Sequence, residues 1–136
     1  MKTLVNFLLE SEEDSNINAF CILKPGFLSH KEDFLNAIED KDWHIENYKE
    51  LTLSKKQSEE LYSPHKDKDF YDDLVNYMTS GKIIALTAYK KCKDPIRQMD
   101  NIKKKFRDEF GKDEMKNGMH SSDSLANVKR ESKIIF

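Results

Sequence analysis

The chain has 136 residues, which fills one compact domain and leaves little room for a second. Charged residues make up 35% and hydrophobic residues 38%, so the chain is polar for a globular protein. Eight Phe, five Tyr and recurrent aliphatic clusters still suffice for a core, which excludes disorder throughout. A net charge of -2 excludes the excess of Lys and Arg that a dedicated nucleic-acid binder uses to neutralise phosphates, and the two isolated cysteines, Cys21 and Cys92, exclude a disulfide framework or a thiolate zinc site.

In chain order, MKTLVNFLL is a short apolar stretch, well below membrane-spanning length and without a small-residue cleavage pattern. No targeting signal or membrane span is expected. An acidic linker from Glu10 to Asn16 follows, so residues 1–16 read as an N-terminal extension and residues 17–136 as the domain. Reduced thiols suit a cytoplasmic setting.

Ala19 to Leu23 (AFCIL) has the unbroken apolar character of a buried strand and ends at Lys24-Pro25-Gly26. Phe34, Leu35 and Ile38 recur at helical spacing after Ser29. From His44, HIENYKELTL places Ile45, Leu51 and Leu53 among polar residues, as a half-buried strand would. Ser54-Lys55-Lys56-Gln57 has the spacing of a capping box, in which serine and glutamine side chains satisfy free backbone donors, so a helix is expected through Leu61 and stopped by Pro64.

FYDDLVNYM carries Phe70, Leu74 and Met78 every four residues, Gly81 closes that helix, and KIIALTAY is strand-like. Asp94 to Gly111 reads as a charged helix, DEMKNGMH as irregular, and Ser124 to Ile134 as a terminal helix with Asp123 at its first turn. Strands alternating with helices predict an α+β sandwich of the ferredoxin-like, split βαβ type, with an antiparallel or mixed four-stranded sheet and helices on one of its faces.

The glycines stand at positions 26, 81, 111 and 118, and none belongs to a P-loop or a dinucleotide cradle. Any phosphate must then be held by side chains, with Lys24, Arg97 and Arg107 in or beside candidate loops. A neutral His120 imidazole is able to attack phosphorus while its other nitrogen donates to a carboxylate, and Glu131 on the terminal helix is the nearest candidate. Ser122 is able to hydrogen-bond that glutamate, and Asp123 or Ser124 to cap the helix. On local pattern alone, a turn histidine beside a capped helix accounts for the same residues. Lys103 to Phe106 combines basic residues with an aromatic, but beside Asp108 and Glu109 it reads as a solvated helix face, and nucleic acid is not an expected partner.

The assembled residues resemble the nucleoside diphosphate kinases, collinearly from about Asn18 to Phe136. Asn117 to Ser124 (NGMHSSDS) is similar to the family's N-x-x-H-G-S-D-S signature, with Ser121 in place of glycine. Glu131 and Phe136 fall at the matching distances. Ile22-Leu23-Lys24-Pro25 resembles the strand-end I-K-P, and Tyr62 to Tyr71 with Tyr77 to Gly81 resembles the central helical hairpin.

The resemblance implies a ping-pong kinase in which His120 takes the γ-phosphoryl of a nucleoside triphosphate and passes it to a diphosphate. It implies that Glu131 orients the ring, that Ser122 bonds Glu131, and that Lys24 and Tyr62 lie beside the transferring group. Arg97 and Arg107 would hold the phosphates with His65 nearby, Lys24 and Asn117 would meet the sugar hydroxyls, and Phe70 with Leu74 would form the base site. Mg²⁺ would arrive on the nucleotide phosphates, without protein ligands. A nucleotide-binding, kinase-like module with little turnover, acting in interaction or regulation, is the alternative.

Departures from the family pattern are concentrated in three places. Only QMDNIKKKF separates Arg97 from Arg107, where relatives carry a longer loop with a phosphate-binding threonine. Lys103 to Lys105 are the cations available to compensate. Because that loop builds trimer contacts in hexameric members, the resemblance implies a homo-oligomer built from dimers and leaves the hexamer open. Lys24-Pro25-Gly26 lacks the aspartate of K-P-D-G, and Glu114 stands where a small apolar residue meets the base.

Overall fold

The computed structural model describes residues 16–136; the segment before them, including most of the expected extension, lies outside the described residues. Strand β1 (Ala19–Leu23) is buried at every position. It is flanked on both sides, pairing antiparallel with β3 (Lys82–Tyr89) and with β4 (Met119–Ser121). Strand β2 (His44–Thr52) pairs antiparallel with β3, giving the order β2-β3-β1-β4. The sheet is therefore the four-stranded antiparallel form of the ferredoxin-like fold, in which two interleaved βαβ units each bracket a strand of the other.

Successive side chains of a strand point to opposite faces, and both faces of this sheet are covered. Ala19, Cys21 and Leu23 pack with Phe34 and Ile38 of α1 (Lys31–Glu39) and with Met99, Ile102 and Phe106 of α4 (Pro95–Phe110). Phe20 and Ile22 face the other layer. There they meet Leu61 of α2 (Lys55–Leu61), Leu74 and Met78 of α3 (Tyr71–Met78), and Val128 and Ile135 of α5 (Leu125–Ile135). The expectation of helices on one face is corrected by this arrangement, and the double cover is why AFCIL is apolar without alternation.

Strand β2 carries a bulge between Ile45 and Asn47, which inserts one residue and reverses the facing of everything after it. Ile45 consequently packs in the α1/α4 layer and Leu51 in the α2/α3/α5 layer. The capping box at the start of α2 is formed as expected: Gln57 N–H donates to Ser54 Oγ at 3.1 Å and Ser54 N–H to Gln57 Oε1 at 2.9 Å. Ser124 caps α5, its Oγ accepting from Asn127 N–H at 3.1 Å.

One stretch differs from the sequence reading, and the long charged helix is formed as expected. Part of DEMKNGMH, expected to be irregular, contributes β4, a strand of three residues that is too short to display a period. Asp94 to Gly111 forms one unbroken helix between a proline in its first turn and Gly111 at its end. That continuity decides where its basic residues go.

Candidate active site

His120 lies at the middle of β4, opposite Ile22 of β1. That register turns its ring to the layer of α2 and α5, where the Phe20 and Tyr62 rings meet it edge-on, at centroid distances of 6.2 and 5.9 Å. Helix α5 buries Val128, Glu131, Ser132 and Ile135 at three- and four-residue spacing, so the face that packs on the sheet carries Glu131 inward. His120 Nε2 lies 2.6 Å from Glu131 Oε1, and Ser122 Oγ donates to the same oxygen at 2.9 Å. The short contact to a carboxylate assigns the Nε2–H tautomer. Among the described residues Nδ1 makes no hydrogen bond, and 16% of the His120 side-chain surface remains open to the cleft.

That cleft encloses about 710 Å³, within the range of small-molecule sites. Lys24, Tyr62, Arg107, Asn117, His120 and Glu131 line its depth. His65, Phe70 and Leu74 line its mouth, where Phe70 is 45% exposed above a buried Leu74 and its ring centroid lies 5.6 Å from that of His65. Lys24 follows β1 directly; its N–H bonds the Gly118 carbonyl at 2.9 Å and its Nζ the Met115 carbonyl at 3.2 Å. Arg107 Nε donates to the Met119 carbonyl at 2.9 Å, which ties α4 to β4 one residue before His120. Asn117 Nδ2 donates to the Glu114 carbonyl at 2.7 Å.

Two polar atoms of this group are buried without a partner among the described residues, the Tyr62 hydroxyl and Asn117 Oδ1. Buried polar atoms are nearly always paired, so these two are free to meet a ligand in the cleft. The charges carry the same message. Burial lowers the Lys24 pKa to about 7, helped by the neighbouring charges of Arg107 and Lys103 and opposed by Asp113. Burial also lowers the His120 pKa, partly offset by the Glu131 hydrogen bond, so the ring is neutral at pH 7. The Tyr62 phenol is pushed far above its ordinary value by burial and then by Glu131, so it stays protonated and is available as a donor.

Arg97 stands apart from this convergence. It is exposed on the first turn of α4 and absent from the cleft lining, whereas Arg107 is part of that lining. The two arginines stand ten positions apart on one continuous helix, about 15 Å along its axis, and no loop folds the first back. Lys103, one turn before Arg107, lines the cleft, as do Arg130 and Glu114. Arg130 Nη1 donates to the Glu60 carbonyl at 2.8 Å and Nη2 lies 3.5 Å from Glu131 Oε2. The sequence reading did not single out Arg130. Its position one residue before Glu131 was the available signal, but a helix periodicity alone gives no partner for it. Within Lys103 to Phe106, Phe106 is buried, and Lys103 and Lys104 each lie 3.0 Å from Asp100.

The chain is thus a ferredoxin-like domain whose edge strand offers a carboxylate-held imidazole to a cation-lined cleft, a class of site suited to an anionic ligand. The family model described as "Nucleoside diphosphate kinase" matches residues 18–136. A nucleoside diphosphate kinase of Fervidobacterium nodosum is 36% identical, over 86% of this chain and 86% of that protein, and one of Methanococcus maripaludis is 32% identical, over 86% of this chain and 96% of that protein. The crystal structure of the Aquifex aeolicus nucleoside diphosphate kinase shares the fold, with a TM-score of 0.78 and 24% identity over 87% of this chain and 93% of that one. A halophilic nucleoside diphosphate kinase from Halobacterium salinarum in complex with CDP gives 0.75 at 24% identity, over 87% and 86% of the two chains. The chain belongs to the nucleoside diphosphate kinase family and is a phosphotransferase of that kind.

Proposed function

We propose that His120 Nδ1 is the atom that carries the phosphoryl group between nucleotides. The observation that supports this most directly is the hydrogen bond from Nε2 to Glu131, which leaves the Nδ1 lone pair directed at the cleft containing Lys24 and Arg107. In the first half-reaction the Nδ1 lone pair forms an N–P bond to the γ-phosphorus of a nucleoside triphosphate. The bond from that phosphorus to the β,γ-bridging oxygen breaks, and the electron pair leaves with the diphosphate. Glu131 stabilises the positive charge that develops on the ring. In the second half-reaction a terminal oxygen of another diphosphate attacks the same phosphorus, and the N–P pair returns to Nδ1.

The Lys24 ammonium and the Arg107 guanidinium neutralise the equatorial oxygens, with the Tyr62 hydroxyl as a further donor. Asn117 Oδ1, an unpaired acceptor, suits a sugar hydroxyl, which Lys24 also reaches. Phe70 over Leu74 offers an apolar face that any base is able to stack upon, so broad base tolerance is expected. His65 stands beside that ring. Among the described residues no group of three or more His, Cys, Asp or Glu could hold a metal. Mg²⁺ would be carried on the nucleotide phosphates, where it supplies further neutralisation of their charge.

We also assign the working state to a homo-oligomer built from dimers, supported by the outer edge of β2, which is unpaired among the described residues, and the setting to the cytoplasm, supported by the free thiols of Cys21 and Cys92. No helix among the described residues is long and apolar enough to cross a membrane. Residues 1–16 are proposed as an extension to the domain of 17–136.

The test is to incubate the protein with γ-labelled ATP and Mg²⁺, isolate it, and add GDP. An acid-labile adduct that is discharged as labelled GTP is expected, with His120→Ala forming none. Label retained by His120→Ala would overturn the assignment.

A further inference from the structure

Resting on the phosphotransfer reading above, we infer that Lys103 is a catalytic residue of this chain, donating to the nucleotide's phosphate oxygens as the second α4 cation beside Arg107. Helix geometry is the first support. Lys103 and Arg107 are four residues apart, so they lie within about 40° on one face and about 6 Å along the axis. Arg97 is ten residues from Arg107, which places it about 80° around the helix and nearly three turns away. Arg107 is anchored to the Met119 carbonyl at the cleft floor, so the face it defines is the face that meets the phosphates.

The second support is the burial of Lys103. Its side chain is 16% exposed, against 68% for the adjacent Lys104, and lysine normally keeps its ammonium in water. The counter-charge available to it is incomplete. Asp100 places Oδ1 3.0 Å from Lys103 Nζ and Oδ2 3.0 Å from Lys104 Nζ, so one carboxylate serves two ammonium groups. The cleft also contains Lys24 and Arg107, while Glu131 on its lining is committed to His120 and Ser122. Asp113, Glu114 and Asp123 line the cleft as well, and Asp113 Oδ1 accepts the N–H groups of Met115 and Lys116. Lys103 contributes to the lowered pKa of both Lys24 and His120, which places its charge within electrostatic reach of both. A polyphosphate entering this group relieves three cations at once.

The experiment compares full-length wild type with Lys103→Gln, Lys103→Arg, Lys104→Gln and Asp100→Asn. It measures ADP and adenosine affinity by calorimetry and phosphoenzyme formation in a single turnover. Lys103→Gln is expected to weaken ADP roughly tenfold and to slow phosphoenzyme formation by about 10²-fold, as lost transition-state donors do. Adenosine affinity stays unchanged, Lys103→Arg recovers most of the loss, and Lys104→Gln behaves as wild type. Asp100→Asn removes the competing carboxylate but not the lysine, so ADP binds about two- to threefold more tightly. A lysine that only steadied the helix would give no gain there.

Unchanged ADP affinity in Lys103→Gln, or a loss reproduced by Arg97→Gln instead, overturns the inference. ADP affinity is read without turnover, so the role of Lys103 is decided even if the wild type forms no phosphoenzyme, a result that would count against the His120 assignment instead.

Discussion

Lys24 holds a positive charge that the folded chain does little to neutralise. Its ammonium is buried near two other cations, with one carbonyl as a hydrogen-bond partner. Because its pKa falls from 10.5 to about 7 on folding, the unfolded chain holds more protons between those values. Stability should therefore rise with pH across that window, with the penalty fully present below pH 7. A nucleotide supplies the missing counter-charge and restores the proton. At pH 8, ADP binding is expected to take up close to one proton per site, read from calorimetry in buffers of different ionisation enthalpy. Lys24→Met should abolish the uptake, and heats independent of buffer in the wild type would contradict the assignment.

His120 titrates below its ordinary 6.5, so the acid limb of the kcat/KM profile should lie below that pH. The Glu131 hydrogen bond is the contribution that raises it, so Glu131→Gln should move the limb lower as well as slow the reaction. An acid limb above 6.5 would argue for a different titrating group. Ser122→Ala removes one of two donors to Glu131 Oε1. It is expected to cost about 1 kcal/mol of stability, a few degrees in Tm by thermal denaturation, with activity retained in part because His120 still holds the carboxylate.

At the scale of elements, the site depends on how β4 is entered. Gly118 has φ +96°, in the left-handed region, and an added Cβ would lie 2.8 Å from Phe106 Cε1. Phe106 is itself buried between α1 and the sheet, so it has little room to yield. Gly118→Ala should cost roughly 2–4 kcal/mol from backbone strain and overpacking together, seen as a lower denaturant midpoint. Because the Gly118 carbonyl accepts from Lys24 N–H, the same change should also weaken nucleotide binding. A variant as stable as wild type would show that β4 is less tightly fixed than its packing indicates.

For the whole molecule, the double cover of the sheet separates stability from chemistry. Ile38 belongs to the α1/α4 layer, whereas Phe20 belongs to the layer beneath His120 and contacts its ring edge-on. Truncation of either fully buried side chain should cost about 2–5 kcal/mol. Measured per folded molecule, Ile38→Ala should keep its turnover number, while Phe20→Ala should lose several-fold through a loosened imidazole. Equal turnover in the two variants would mean that the His120 ring is held by Glu131 alone.

What the sequence determined by itself was local. The apolar run of β1, the Ser54 capping box, the four-residue spacing of α3 and the His120-to-Glu131 interval all depend on neighbours within a few residues, or on a motif of fixed order. The tertiary structure alone decided that β4 exists, because three residues become a strand only when β1 supplies their partners. It decided that Glu46 is bulged, which sends Ile45 and Leu51 to opposite layers. It also decided that Lys103 rather than Arg97 faces the cleft beside His120, since every residue of a helix has the same local geometry and only packing against the sheet selects the inward face.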